Sequence, residues 1–200
     1  MDDRRPVGFQ VPYGGGRSAL VLLGPSQAGK STQAAALRAR GWRVLSDDIS
    51  LLDVDRSPVV AYAADTGLCL WPDSLTAVNG AAGAGRTVAG HVAKRRVGED
   101  DDGPERTYPV AALVLLEPRM DVELSLDPVD PPAAAMCAGQ QMVAFHPKDT
   151  DRVPRAWAAI GRLASAVPMF RCRYRRGFDR LAGVTDMLVR CVRDQPLART

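Results

Sequence analysis

Residues 20–32 of this 200-residue chain read LVLLGPSQAGKST, an apolar run that breaks into a glycine-bounded polar loop. The run extends from Ser18 to Leu23 between Gly14-Gly15-Gly16 and Gly24, which predicts a short buried strand entered from a turn. Beyond the loop, Gln33 to Arg38 are strong helix formers and Gly41 stops them. The unit is therefore strand, glycine loop, helix.

Gly24, Gly29, Lys30 and Ser31 satisfy the pattern G-x-x-x-x-G-K-[ST]. In that pattern the glycines let successive backbone N–H groups turn toward phosphate oxygens, the lysine reaches the outer phosphates, and the hydroxyl is placed for magnesium. The residues expected to line a bound triphosphate are Gly24, Ser26, Gln27, Ala28, Gly29, Lys30, Ser31 and Thr32. Flanking strand and helix supply the context the motif requires.

Such a site needs a carboxylate across from Ser31 at the end of a neighbouring strand. Trp42-Arg43-Val44-Leu45 is a strand candidate ending on Ser46-Asp47-Asp48, sixteen and seventeen residues after Ser31, and VAALVLL at 110–116 ends on Glu117. Adjacent aspartates at a strand end point in different directions, so one can hold the metal while the other takes the proton of an incoming hydroxyl. The plain alternative is a capped turn at Asp47-Asp48, and for Glu117-Pro118 a strand-ending surface turn.

Composition sets the frame. With 46% hydrophobic and 24% charged residues the chain can build one domain with a substantial core. No window approaches the roughly 18 apolar residues of a membrane span, and Met1-Asp2-Asp3-Arg4-Arg5 lacks a signal-peptide core, so a soluble cytoplasmic protein is expected. Cys69, Cys137, Cys172 and Cys191 lie far apart and predict buried free thiols rather than a zinc site. A net charge of +3 without a concentrated basic face and stacking aromatics argues against nucleic acid.

Further strands are expected at 59–62, 68–71, 110–116 and 170–174, and helices at 72–78, 131–141, 156–167 and 178–193. Trp157, Ile160, Leu163 and Ala164 share one helix face, and Leu181, Val184, Leu188 and Cys191 form another stripe. Residues 1–16 are expected to be flexible or an edge strand, and 80–107 a mobile loop region around Lys94-Arg95-Arg96. Arg171, Arg173 and Arg175 form one face of a strand, either meeting an acidic acceptor or protecting an exposed edge. The pattern predicts a single α/β domain, a mixed β-sheet flanked by helices.

The blocks LLGPSQAGKST, GWRVLSDDISLL, LCLWPDS and AVPMFRCRYRRGFDRLAGVTDML together resemble the HPr kinase/phosphorylase family and its short stand-alone relatives, the HPr-kinase-like serine kinases. The resemblance implies a fold like the nucleotide-binding part of phosphoenolpyruvate carboxykinase, and an ATP- and Mg²⁺-dependent kinase acting on a serine of a protein or peptide, such as a peptide under modification. It implies that Lys30 contacts the phosphates, Ser31 binds magnesium, and Asp47 and Asp48 supply the base and a metal ligand. Asp47 is assigned to the base and Asp48 to the metal, an assignment that adjacency alone leaves open. In related kinases a basic segment after the tryptophan-proline block helps neutralise phosphate charge, and Lys94 and Arg95 occupy the matching place, with a solvated charge run as the plain alternative.

One departure is Phe9, which stands where many family members carry a histidine; the chain's histidines are His91 and His146. That departure bears on the pH behaviour of the base and on reverse phosphorylase activity. The other readings are a small-molecule kinase, which would share the loop and base, and a nucleotide-binding module whose chemistry has lapsed. A homo-oligomer is compatible with the resemblance. An Asn-Lys-x-Asp segment, as in GTPases, and a Leu-Ser-Gly-Gly-Gln signature, as in transporter ATPases, are both missing from the sequence.

Overall fold

A computed structural model describes residues 7–13, 16–47, 50–63, 67–79, 86–88, 91–97, 107–141 and 152–194. In chain order the elements are β1 (Val7–Tyr13), β2 (Gly16–Leu23), α1 (Lys30–Arg38), β3 (Arg43–Ser46), β4 (Leu51–Asp53), β5 (Val60–Tyr62), β6 (Leu68–Leu70) and α2 (Pro72–Asn79). They continue as β7 (Arg86–Val88), β8 (His91–Val97), β9 (Thr107–Pro118), β10 (Leu124–Val129), α3 (Pro131–Gln141), α4 (Arg152–Ala166) and β11 (Met169–Tyr174). A short 3₁₀ turn, Phe178–Arg180, then leads into α5 (Leu181–Arg193).

β2 is apolar on both faces because both are covered. Leu20 and Leu22 join Ala34, Ala35 and Leu37 of α1 and Val184 and Leu188 of α5 in one core layer. Ala19, Val21 and Leu23 turn the other way, toward Ala134 and Ala138 of α3 and Ile160 and Ala164 of α4. β9 does the same with Ala112, Val114 and Leu116 against Leu113 and Leu115. Such continuous runs are what a sheet sandwiched between helices demands. Leu113 is 1% exposed, so Leu113→Ala is expected to lower stability by about 2–5 kcal/mol, measured by chemical denaturation.

The fold is thus a mixed α/β domain, a mixed sheet flanked by helices. Its principal sheet runs β10-β11-β9-β2-β1-β3, with β5 paired to the start of β9 and β4 to β5; β6-β8-β7 form a second, antiparallel sheet. β2, β9 and β11 are mutually parallel, which gathers their carboxyl ends on one edge of the sheet. In open α/β sheets ligands bind beyond those ends.

The sequence and the structure part at several strands, among them β4, which was not expected at Leu51–Asp53 and is formed by its pairing with β5. β1 is not an edge: it forms a hairpin with β2 (Val7↔Leu22 to Tyr13↔Gly16) and also pairs β3, so it lies inside the sheet. Arg86–Val88 and His91–Val97 are strands within the region expected as loop, because β8 finds its partners in β6 more than twenty residues upstream, Leu70↔Arg95 and Cys69↔Arg96, and that distant pairing outweighs the local glycines. β10 was not expected from Ser125, Asp127 and Pro128; it is an edge strand, where a proline is tolerated. β11 is not an edge strand either, since β9 and β10 flank it.

Among the four cysteines, all free, Cys172 and Cys191 are buried, which pushes both thiols up to about 12, whereas Cys69 and Cys137 are only half-buried. Trp157 also departs from its expected face: it is 48% exposed, its ring edge lying against Gly139 of α3. Among the described residues no helix is long and apolar enough to cross a membrane.

Candidate active site

The loop that follows β2 is shaped by two glycines that tolerate no side chain. Gly24 has φ +145°, and a Cβ there would stand 2.8 Å from the Leu116 carbonyl oxygen and 3.1 Å from Ala28 Cβ. Gly29, at φ +83°, is the N-cap of α1, and a Cβ there would stand 2.8 Å from the Tyr174 hydroxyl. Between them Pro25, Ser26 and Gln27 are exposed at the crest, Gln27 also in the left-handed region at φ 61°, and the Ala28 N–H closes a turn onto the Pro25 carbonyl at 3.1 Å. Gly29→Ala combines left-handed strain with a steric conflict, and is expected to lower stability by about 1–3 kcal/mol, read from denaturation curves.

α1 begins at Lys30 with no side-chain cap and no acidic residue in its first turn. Its positive end therefore faces the loop without a carboxylate of its own to offset it. Lys30 arches back so that Nζ donates to the carbonyl oxygens of Gly24 (2.8 Å) and Pro25 (3.0 Å). The ammonium is thereby held over the loop concavity.

Asp47, just past the end of β3, is 6% exposed and completes the constellation. Its Oδ1 accepts from Ser31 Oγ at 3.1 Å, and its Oδ2 accepts from the Cys69 N–H of β6 at 2.6 Å. At the next residue of α1, Thr32 Oγ1 and Ser74 Oγ of α2 are 2.9 Å apart. The first turn of α1, the end of β3, β6 and the start of α2 thus meet around Asp47.

Of the residues expected from sequence, Gly24, Ala28, Gly29, Lys30, Ser31, Thr32 and Asp47 come together, with Ser26 and Gln27 at the exposed crest. Asp48 lies outside the described residues. Lys94 and Arg95 lie on β8, the strand that pairs with β6, and their side chains are likewise outside the described part. Glu117 serves elsewhere: its carboxylate lies 3.3 Å from Arg171 Nε and 3.6 Å from Arg173 Nε. Arg173 also reaches Asp127 at 2.9 Å, so Arg171 and Arg173 are half-buried and balanced by carboxylates rather than an exposed edge, while Arg175 is exposed just past the end of β11.

Two loop contacts were not legible in the sequence. Gln141, the last residue of α3 and 5% exposed, accepts the Gly24 N–H on its Oε1 at 3.2 Å. Tyr174, the last residue of β11, donates its hydroxyl to the Ala28 carbonyl. Burial pushes the Tyr174 phenol well above its ordinary range, so it remains a donor at any physiological pH. No local pattern marks either residue, because their partners lie 117 and 146 positions away.

Among the described residues no group of three His, Cys, Asp or Glu side chains is placed to hold a metal by itself. Compared with protein-family models and with curated proteins, the chain matches none.

Proposed function

We propose that the chain is an ATP- and Mg²⁺-dependent phosphotransferase that phosphorylates a serine hydroxyl of a protein or peptide. The observation that carries this reading is the 3.1 Å hydrogen bond between Ser31 Oγ and Asp47 Oδ1 at the start of α1. It joins the hydroxyl of a glycine-loop motif to a buried strand-end carboxylate, two hard oxygen donors of the kind magnesium takes alongside phosphate oxygens. The resemblance of the sequence blocks to HPr-kinase-like serine kinases supports the same reading, and with it a fold of the phosphoenolpyruvate carboxykinase type.

The donor set fits magnesium, since Ser31 and Asp47 both offer hard oxygen donors. Ser31 and Asp47 would hold the ion, which when bound neutralises charge on the phosphates. The uncapped end of α1 and Lys30 take up the remaining phosphate charge. The acceptor serine oxygen attacks the γ-phosphorus, the bond to the bridging oxygen breaks, ADP leaves, and the serine proton passes to a carboxylate.

Asp47 is poorly suited to receive that proton, because it is buried and both of its oxygens already accept hydrogen bonds. We therefore exchange the roles assigned from sequence, with Asp47 as the metal-side residue and Asp48 as the base. Little covalent chemistry is required beyond positioning and charge stabilisation. Calorimetric titration with ATP is expected to give binding about tenfold or more tighter with Mg²⁺ than with a chelator, on the scale of one charge-assisted contact. Equal affinity in the two conditions would remove Ser31 and Asp47 from a metal site.

A further inference from the structure

We infer that Gln141 and Tyr174 are positioning residues of the glycine loop, pinning its two ends from opposite faces of the sheet so that the cradle is formed before a ligand arrives. The inference deepens the phosphate-binding reading above and rests on it for its functional consequence.

The loop crest has little to hold it. Pro25, Ser26 and Gln27 are exposed, and the bonds at the crest, from the Ala28 N–H and the Lys30 ammonium to the Pro25 carbonyl, both come from the loop and the first residue of α1 rather than from the rest of the fold. The ends are fixed by tertiary structure. On the α3/α4 side Gln141 receives the Gly24 N–H, and its reach is set by a helix that buries Ala134 and Ala138 in the core and takes the Trp157 ring against Gly139. On the α1/α5 side Tyr174 belongs to the core layer and donates to the Ala28 carbonyl.

Tyr174 has a second effect. Its oxygen occupies the space a side chain at position 29 would need, so this ring, together with the positive φ, requires glycine there. Gly24 and Ala28 thus cannot move apart or rotate without breaking a buried hydrogen bond. A site held in its binding geometry loses less conformational freedom when a ligand binds.

The test measures hydrogen exchange of backbone amides at 24 and 26–29 by mass spectrometry on the full chain without nucleotide, alongside calorimetry with Mg-ATP. Tyr174→Phe and Gln141→Leu keep the volume of each side chain and remove the bond. Each is expected to speed loop exchange about tenfold and to weaken Mg-ATP binding about three- to tenfold, the scale of one buried hydrogen bond. Thr185→Val is the control: its Oγ1 lies 2.9 Å from Gln33 Oε1 and its loss disturbs the α1–α5 contact but not the loop ends, so loop exchange should stay at the wild-type rate. Unchanged loop exchange in both variants, or acceleration spread evenly along the chain, overturns the inference. A wild-type chain that fails to bind Mg-ATP overturns the proposed function instead, while the exchange rates still decide the clamp.

Discussion

Lys30→Ala is expected to weaken ATP binding by about a hundredfold. The Lys30 ammonium stands 2.8 Å from the Gly24 carbonyl oxygen and 3.0 Å from that of Pro25, so it is already stationed over the loop. A charge-assisted hydrogen bond contributes about 1.5–3 kcal/mol, and each 1.4 kcal/mol is a factor of ten. Losing contacts to two phosphate oxygens therefore reaches a hundredfold. Alanine is the best helix former and the lysine is only half-buried at the first position of α1, so the fold should survive. Calorimetry on the folded variant decides the matter, and an affinity equal to wild type would sink the phosphate-loop reading.

Asp47→Asn should separate binding from transfer. The carboxylate offers one oxygen to Ser31 Oγ and the other to the Cys69 N–H. An amide keeps one oxygen only. If that oxygen stays with Cys69, the NH₂ faces Ser31 and the hydroxyl must turn to accept; if it turns to Ser31, two donors collide at Cys69. Either way the anionic partner of Ser31 is gone. ATP is expected to remain bound within about tenfold, while transfer falls by about 10²–10³, the scale seen when one preorganised electrostatic contact is removed. Wild-type turnover in this variant would take Asp47 out of the mechanism.

What the sequence revealed follows from how local each feature is. Gly24, Gly29, Lys30 and Ser31 lie within eight consecutive positions, and their spacing alone prescribes strand, loop and helix. β2 and β9 were legible because burial on both faces leaves an uninterrupted apolar run. Asp47 was found from its place at a strand end, although its partner Cys69 was not, since a backbone N–H leaves no mark on composition.

Features that depend on distant pairing escaped. β8 stands between glycine-rich and acidic stretches and is a strand only because β6 and β7 accept its ladder. Arg171 and Arg173 suggested a basic surface until Glu117 and Asp127 were seen opposite them. Gln141 ends an alanine-rich helix and Tyr174 ends an alternating strand, and nothing near either one points to the loop.

Phosphotransfer is tested most directly by incubating the protein with Mg²⁺ and ATP carrying a labelled γ-phosphate in a lysate of the cell that makes it, then identifying the labelled species by mass. The expected result is label on a serine of a polypeptide, lost on chelation of Mg²⁺ and in Lys30→Ala. Label that stays in ATP and inorganic phosphate, or that appears on a small metabolite instead, would contradict a serine kinase.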